Sequence, residues 1–243
     1  MTPLRAVILD LDDTLFDDTA CTHAGLRALA TGHRLTLDPH DLFAQHAAHI
    51  RAIDPMLFRG ELTAHGARVL RFTRLLTDLG VAAPDGEAAT HTYRSAYRQA
   101  WTLLDGAGAL LSTLRAAGLK LAVLTNYVRE VQAEKLAHFG LEGQLDALLC
   151  IDDLGCAKPD PRAYHAACAA LGVQPEAAVM VGDSWANDVE GARHAGLRAV
   201  WVNRVGHPAP DHQVPSVQRL VDLPAVLGLP RSGAEGVWRE GKT

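Results

Sequence analysis

The chain has 243 residues and a formal net charge of −5, with 48% hydrophobic and 21% charged residues. This composition predicts a folded protein of one or two domains and argues against general disorder. Because the basic residues form no run, it also argues against a nucleic-acid polymer or a membrane as partner and favours a small molecule.

The cellular location is predicted from the apolar stretches and the cysteines. No apolar stretch approaches the roughly 18 residues of a membrane-spanning helix, and Asp10 follows the apolar start of the chain too early for a secretion signal. The four cysteines include no Cys-x-x-Cys pair, so the spacing of a zinc knuckle or a dithiol redox site is missing. We therefore expect a cytoplasmic protein with reduced thiols.

The predicted elements begin with a buried strand at Arg5–Asp10, and an all-helical insert follows it. Residues 17–100 contain no comparable strand and show the periodicity of amphipathic helices, for example His40–Arg51 and Thr63–Leu79. Seven histidines lie scattered in this insert, and His46 and His49 are three residues apart. Without a third ligand nearby, they are interpreted as solvated helix residues rather than as a zinc site.

After the insert, strands and helices alternate. Short strands that are apolar on both faces are predicted at Lys120–Thr125, Ala147–Ile151, Ala178–Gly182 and Ala199–Val202, and the helices are predicted to stop at Gly118, Gly140, Gly172 and Gly196. This alternation predicts an α/β fold, a doubly wound, Rossmann-like parallel sheet in residues 1–16 and 101–230. The all-helical domain at 17–100 is inserted after the first strand.

The end of the chain is rich in proline and glycine. A short helix is predicted near Leu223–Leu227, and residues 231–243 are expected to form a flexible tail. The tail contains a full match to the phosphate-binding loop pattern G-x-x-x-x-G-K-[ST] at Gly236–Thr243. That loop needs a strand before it and a helix after it, so the match is interpreted as coincidence.

The strongest signal for chemistry is the motif Asp10-Leu11-Asp12-Asp13-Thr14, which follows the first strand. Three carboxylates within four residues repel one another unless a cation or a catalytic task offsets the repulsion. They lie where the strand ends, which is the edge at which open α/β sheets bind ligands. Asp10 and Asp12, two residues apart on extended backbone, are expected to face the same way.

Polar residues of complementary kinds occur after the later strands and before a helix. Thr125 and Asn126 follow the second strand, Lys158 precedes a helix that begins near Pro161, and Asp183 follows the strand at Ala178–Gly182, with Asp188 five residues further on. Each of these has an ordinary structural explanation alone, such as a helix cap or a solvated lysine. Their joint arrival at one edge of the sheet predicts an active site.

In these motifs, DLDDT, TN, KP and GDSWAND, the chain resembles the haloacid dehalogenase superfamily, and specifically its phosphatases with a helical cap inserted after the first motif. The resemblance implies Asp10 as nucleophile, Asp12 as general acid/base, and Thr125, Asn126 and Lys158 as the phosphate pocket. It implies a Mg²⁺ site formed by Asp10, the backbone carbonyl of Asp12 and Asp183. Asp188 is expected to support the metal's outer shell or to orient Lys158.

The function predicted from this resemblance is a magnesium-dependent phosphatase that hydrolyses a small phosphorylated metabolite through a phosphoaspartate. A phosphomutase of the same family and a non-catalytic switch phosphorylated on Asp10 are the alternatives. Three arginines of the insert are candidates for recognising a negative leaving group: Arg59, Arg68 and Arg71. The identity of the leaving group and the oligomeric state stay open.

Overall fold

The computed structural model describes residues 2–229, and the chain divides into two compact units. One unit is Phe16–Thr102, and the other joins Met1–Leu15 to Leu103–Thr243. These bounds differ from the predicted 17–100 by one residue at the first boundary and by two at the second. The predicted tail, 231–243, and its phosphate-loop match lie outside the described residues.

The second unit contains the predicted parallel sheet. Its six strands are β1 (Ala6–Leu9), β2 (Lys120–Leu124), β3 (Ala147–Leu149), β4 (Ala178–Gly182), β5 (Arg198–Val202) and β6 (Ser216–Val217). All neighbours pair in parallel, in the order β3-β2-β1-β4-β5-β6. The sheet therefore grows in opposite directions from β1, and the edge outside the carboxyl ends of β1 and β4 is the usual ligand position of such a fold. The two-residue edge strand β6 is the one strand of the described chain that the sequence does not predict.

The unit Phe16–Thr102 is all-helical, with α1 (Asp18–His33), α2 (Pro39–Phe58), α3 (Ala64–Asp78) and α4 (Gly86–Gln99). A side-chain oxygen of the preceding residue caps each helix at its N-terminus: Asp17, Asp38, Thr63 and Asp85. Helix α2 runs seven residues beyond the predicted end at Arg51. Leucine and aromatic side chains fill the centre of the unit, among them Leu29, Phe72 and Leu75.

The interpretation of the histidines as solvated is wrong for His46. Its ring is 1% exposed and stacks against Phe72 at a centroid distance of 5.5 Å. Burial, together with the charge of Arg71, lowers the pKa of His46 to about 3, so this residue is a neutral part of the helical unit's core.

Within residues 2–229, six further helices belong to the unit of the sheet: α5 (Ala107–Ala116), α6 (Arg129–His138), α7 (Ile151–Leu154), α8 (Pro161–Leu171), α9 (Gly191–His194) and α10 (Leu223–Val226). A π-helical segment at Trp185–Glu190 leads into α9. The four glycines predicted to end helices all have positive φ, from +62° at Gly172 to +86° at Gly196. No helix of residues 2–229 has the length and apolar character needed to cross a membrane.

The start of α9 packs too closely on its neighbours to admit a side chain. A Cβ at Gly191 would lie 2.2 Å from the Tyr164 hydroxyl oxygen and 2.8 Å from Pro159 Cβ. We expect Gly191→Ala to lower the free energy of unfolding by about 1–3 kcal/mol. The matched control is Gly108→Ala on α5, where nothing lies within 4 Å of the added Cβ. Because alanine favours a helix more than glycine does, this substitution should raise the free energy of unfolding by about 0.5–1 kcal/mol. Urea unfolding followed by circular dichroism measures both, and equal effects of the two substitutions would contradict this packing argument.

Candidate active site

The carboxyl edge of the sheet brings together the polar residues of the sequence motifs. Asp10 follows β1, Thr125 follows β2 and Asp183 follows β4, as parallel strands require. Lys158, in the loop before α8, and Asp188, in the π-helical segment, reach the same edge.

Lys158 is the centre of this cluster. Its Nζ donates to Asp10 Oδ1 at 2.6 Å and to Asp188 Oδ1 at 2.7 Å, and its side chain is 3% exposed. Burial by itself lowers the pKa of Lys158, but the two carboxylates outweigh burial and raise that pKa above its usual range. Lys158 is therefore a permanent cation that orients Asp10.

Asp10 itself is buried beside more negative than positive charge. Burial raises its pKa well above the usual value, Lys158 opposes the shift, and Asp188 and Asp183 add to it. Lys158 is bonded to two of these carboxylates, and Asp183 adds a third, so the cluster has an excess of negative charge. A further cation would remove this excess.

The position of Asp188 depends on the backbone around it. The Ser184 amide donates to Asp188 Oδ2 at 2.9 Å, and a Cβ on Gly182 would lie 2.2 Å from that same oxygen. A side chain at the end of β4 would therefore push the carboxylate away from Lys158. The wider π-helical turn at Trp185–Glu190, a geometry often found at functional sites, carries Asp188 back over the strand end.

Asp183 is held by the first motif and is electrostatically strained. Its amide donates to Thr14 Oγ1 at 3.1 Å, and the Trp201 indole donates to its carbonyl at 2.8 Å. Burial raises the pKa of the Asp183 carboxyl to about 7, and the carboxylates of Asp188 and Asp13 add to the shift. Burial and the neighbouring carboxylates both disfavour the charged form of Asp183, and a bound cation would offset them.

The three carboxylates lie close enough together to bind one metal ion. One oxygen each from Asp10, Asp183 and Asp188 lies within 4.8 Å of the others. Hard carboxylate oxygens are the ligands that Mg²⁺ prefers. The donor set and the charge excess therefore fit a divalent cation such as Mg²⁺.

Asn126, which the sequence predicts in the phosphate pocket, also bonds to Lys158 through its side chain. Its Nδ2 donates to the Lys158 carbonyl at 2.7 Å, and the Lys158 amide donates to Asn126 Oδ1 at 2.8 Å. This paired bond fixes the loop that carries the ammonium group. Asn126 thus helps to determine the position of Lys158.

Asp12 has different neighbours from Asp10, although the two residues are close in sequence. Lys135 Nζ donates to Asp12 Oδ1 at 2.5 Å, and Gln132 Nε2 donates to Asp12 Oδ2 at 2.8 Å and to Thr125 Oγ1 at 2.7 Å. The sequence motifs predict neither Gln132 nor Lys135 as a site residue. The signal that could have identified them is their spacing of three residues, which places both on one face of α6, the helix that follows Thr125 in the chain.

The three candidate arginines all belong to the helical unit. Arg71 is buried and bonds to Asp54 at 2.9 Å, so it is a structural partner of that carboxylate. Arg59 is exposed and bonds to Glu61, and Arg68 is half-buried. Arg59 and Arg68 stay predictions as specificity residues, whereas Arg71 is engaged inside its own unit.

Comparisons with known proteins agree with the motifs. Residues 4–196 match the haloacid dehalogenase-like hydrolase family. A phosphoserine phosphatase of Thermus thermophilus is 34% identical over 249 residues, covering 92% of this chain and 98% of that protein. The human N-acylneuraminate-9-phosphatase is 28% identical, and the match covers 92% of this chain and 94% of that protein. Among solved structures, the HAD-hydrolase YfnB of Bacillus subtilis bound to magnesium has a TM-score of 0.73 at 26% identity, over 94% of this chain and all of that one.

The raised pKa of Asp183 predicts how the metal-free protein responds to pH. The folded state keeps this proton up to about pH 7, whereas the unfolded chain releases it near 3.8, so between these values the free energy of unfolding falls as the pH rises. Asp183→Asn removes the ionisation and keeps the shape. In chelator, we expect this variant to be more stable than the parent at about pH 8, by a smaller margin at about pH 5. Urea unfolding at both pH values measures the margins, and equal margins would refute the assignment.

Proposed function

Since the chain belongs to the haloacid dehalogenase-like hydrolases and is a hydrolase of phosphate monoesters, we propose that it works through a phosphoaspartate on Asp10 with Mg²⁺ bound beside it. The observation that carries this proposal is a cluster of three carboxylates at the end of the central strand: Asp10 and Asp188 are buried and bonded to Lys158, and half-buried Asp183 lies beside them. An oriented carboxylate among cations is the arrangement that aspartyl-phosphate chemistry uses.

In the first step, a carboxylate oxygen of Asp10 attacks the phosphorus atom, and the bond from phosphorus to the ester oxygen breaks. Asp12, as the acid, gives its proton to that departing oxygen. Lys158, Thr125 and the backbone at Asn126 are proposed to hold the phosphoryl oxygens. Lys158 also keeps Asp10 in line through their 2.6 Å hydrogen bond.

In the second step, a water molecule attacks the phosphorus atom of the phosphoaspartate. Asp12, now ionised, takes the proton of this water, and the bond from phosphorus to Asp10 breaks. Inorganic phosphate leaves, and Asp10 returns as a carboxylate. One side chain thus serves as acid and then as base.

Asp10, Asp183 and the backbone carbonyl of Asp12 are proposed as the Mg²⁺ ligands, with Asp188 supporting them from the outer shell. When bound, the metal neutralises negative charge on the phosphoryl group and its carboxylate neighbours. The carboxyl pKa of about 7 at Asp183 supports this assignment, because it marks a site that needs positive charge. The magnesium-bound YfnB structure supports it as well.

The substrate is proposed to be a small phosphorylated metabolite. The relatives are named for phosphoserine, for N-acylneuraminate 9-phosphate and, in Halopiger xanaduensis, for ribulose 1,5-bisphosphate, all small phosphate esters. The helical unit is proposed as the family's cap domain, with Arg59 and Arg68 as candidates for contacting the leaving group. Release of inorganic phosphate from these three esters and from an aryl phosphate is the direct test. Phosphate transfer without release would indicate a phosphomutase, and labelling of Asp10 without turnover would indicate a switch.

Substitutions of the two aspartates Asp10 and Asp12 should impair turnover in different ways. Asp10→Asn removes the nucleophile, so turnover should fall to background. Asp12→Asn keeps the nucleophile but loses the acid and base, a loss on the order of 10²–10⁴-fold that should be smallest for aryl phosphates, whose leaving groups need little protonation. Steady-state rates on an alkyl and an aryl phosphate, with mass spectrometry of trapped phosphoprotein, measure this. Normal turnover by Asp10→Asn, or a phosphoryl group found on another residue, would overturn the mechanism.

Metal dependence follows from the charge excess of the acidic cluster. Chelation should abolish phosphatase activity, and Mg²⁺ should restore it. Asp183→Asn should move half-saturation to higher Mg²⁺ concentration. The control variant is Asp211→Asn, which removes an exposed carboxylate paired with Arg193 at 2.7 Å and should leave the magnesium titration unchanged. Full activity in excess chelator would argue against the metal site.

A further inference from the structure

Two buried polar side chains of α6 have no role in the function proposed above, although they contact its acid/base residue. Lys135 and Gln132 are 3% and 0% exposed, and each donates to a different oxygen of Asp12. Ordering such a long side chain costs roughly 1.5–2 kcal/mol of conformational entropy. Removing its polar head from water adds to that free-energy penalty. Apolar residues would fill these buried positions at lower free energy, so packing alone does not explain a lysine and a glutamine here.

The two bonds restrain both oxygens of the Asp12 carboxylate. Oδ1 accepts from Lys135 at 2.5 Å, and Oδ2 accepts from Gln132 at 2.8 Å. Rotating the carboxylate about its bond to Cβ would break both contacts together. Since both donors lie on the same face of α6, the helix holds Asp12 in one orientation.

Gln132 also joins Asp12 to the phosphate pocket. Its amide nitrogen carries two protons, one directed to Asp12 Oδ2 and the other to Thr125 Oγ1 at 2.7 Å. Because Thr125 accepts this bond, its own hydroxyl proton is available to donate to a phosphoryl oxygen. The opposite orientation of the amide would direct an oxygen at the carboxylate.

The other end of the Gln132 amide supports a functional reason for this orientation. Among the residues that the structure describes, its Oε1 is buried and finds no hydrogen-bond partner. An unpaired buried acceptor costs about 1–3 kcal/mol. The fold accepts this penalty where both amide protons are directed at two residues of the proposed active site.

We propose that Gln132 and Lys135 are positioning residues, which hold Asp12 in the orientation for proton transfer and, through Gln132, align it with Thr125. The inference rests on the acid/base role proposed for Asp12. Neither side chain donates or accepts the transferred proton. Losing Lys135 should therefore slow proton transfer and leave the affinity for the phosphate group almost unchanged, whereas losing Gln132 also removes a bond to Thr125 of the phosphate pocket.

The test is a double-mutant cycle. Lys135→Met and Gln132→Leu are each made in the parent and in Asp12→Asn, and kcat and KM are measured on an alkyl and an aryl phosphate. In the parent, each should lower kcat on the alkyl phosphate by about 10- to 100-fold, the size expected for a misplaced catalytic group, with a smaller loss on the aryl phosphate. For Lys135→Met, KM should change by less than about 3-fold, since Lys135 is not among the residues proposed to hold the phosphoryl oxygens.

The cycle tests whether the two residues act through Asp12. In the Asp12→Asn background, measured on the aryl phosphate, Lys135→Met should not lower kcat further, and Gln132→Leu should keep only the part of its loss that passes through Thr125. Lys135→Arg, which keeps a charged donor, should retain most of the parent activity. The control is Lys120→Met, which removes a lysine bonded to the Leu171 carbonyl at the opposite end of β2 and should leave both kinetic constants unchanged.

Several outcomes would overturn the inference. Equal losses in the parent and in Asp12→Asn would mean that these residues act independently of Asp12, and a raised KM with kcat retained would mean that Lys135 binds substrate directly. If circular dichroism shows that Lys135→Met does not fold, Gln132→Leu and Lys135→Arg carry the same comparison. Asp10→Asn is assayed in parallel, and if it retains activity, the proposed function fails. If Asp10→Asn is inactive but the substitutions of Lys135 and Gln132 leave kcat unchanged in the parent, only the positioning role fails.

Discussion

The cluster of polar residues at the carboxyl edge of the sheet depends on one buried ammonium group. Lys158 bonds to Asp10 and to Asp188 at once, and removing it would leave two buried carboxylates without their shared counter-ion. Breaking such a pair leaves uncompensated charge, which is among the most destabilising changes a folded protein undergoes. The surrounding structure holds Lys158 accordingly, with the Asn126 side chain bonded to both its amide and its carbonyl.

The same constraint explains the backbone at the end of β4. Asp188 reaches Lys158 because Gly182 has no side chain in its path and because the π-helical turn carries the carboxylate over the strand. Thr14 joins this segment to the first motif through the Asp183 amide. Short-range backbone geometry and long-range electrostatics thus specify one arrangement, and the remaining negative charge is what suits the site to a divalent cation.

Asp10 and Asp12 have identical side chains, and their environments separate them. Asp10 is buried against Lys158, Asp188 and Asp183, whereas Asp12 is partly exposed and accepts hydrogen bonds from α6. These different environments are consistent with the different tasks proposed for the two carboxyls, attack on phosphorus for Asp10 and proton transfer for Asp12. Two groups of the same chemistry acquire different roles when the neighbours that set their orientation differ.

The sequence by itself determined the α/β fold, five of the six described strands, and the motif residues Asp10, Thr125, Lys158 and Asp183 at the carboxyl edge. These follow from local signals, because apolar runs, terminal glycines and motif spacing act within a few residues. The sequence did not predict the two-residue strand β6, the burial of His46 or the Arg71–Asp54 pair, because each of these depends on partners outside the local segment. Only the tertiary structure decided that Gln132 and Lys135 meet Asp12, since these contacts join residues 120 and 123 positions apart. No local pattern encodes a contact whose partner is set by how strands and helices pack.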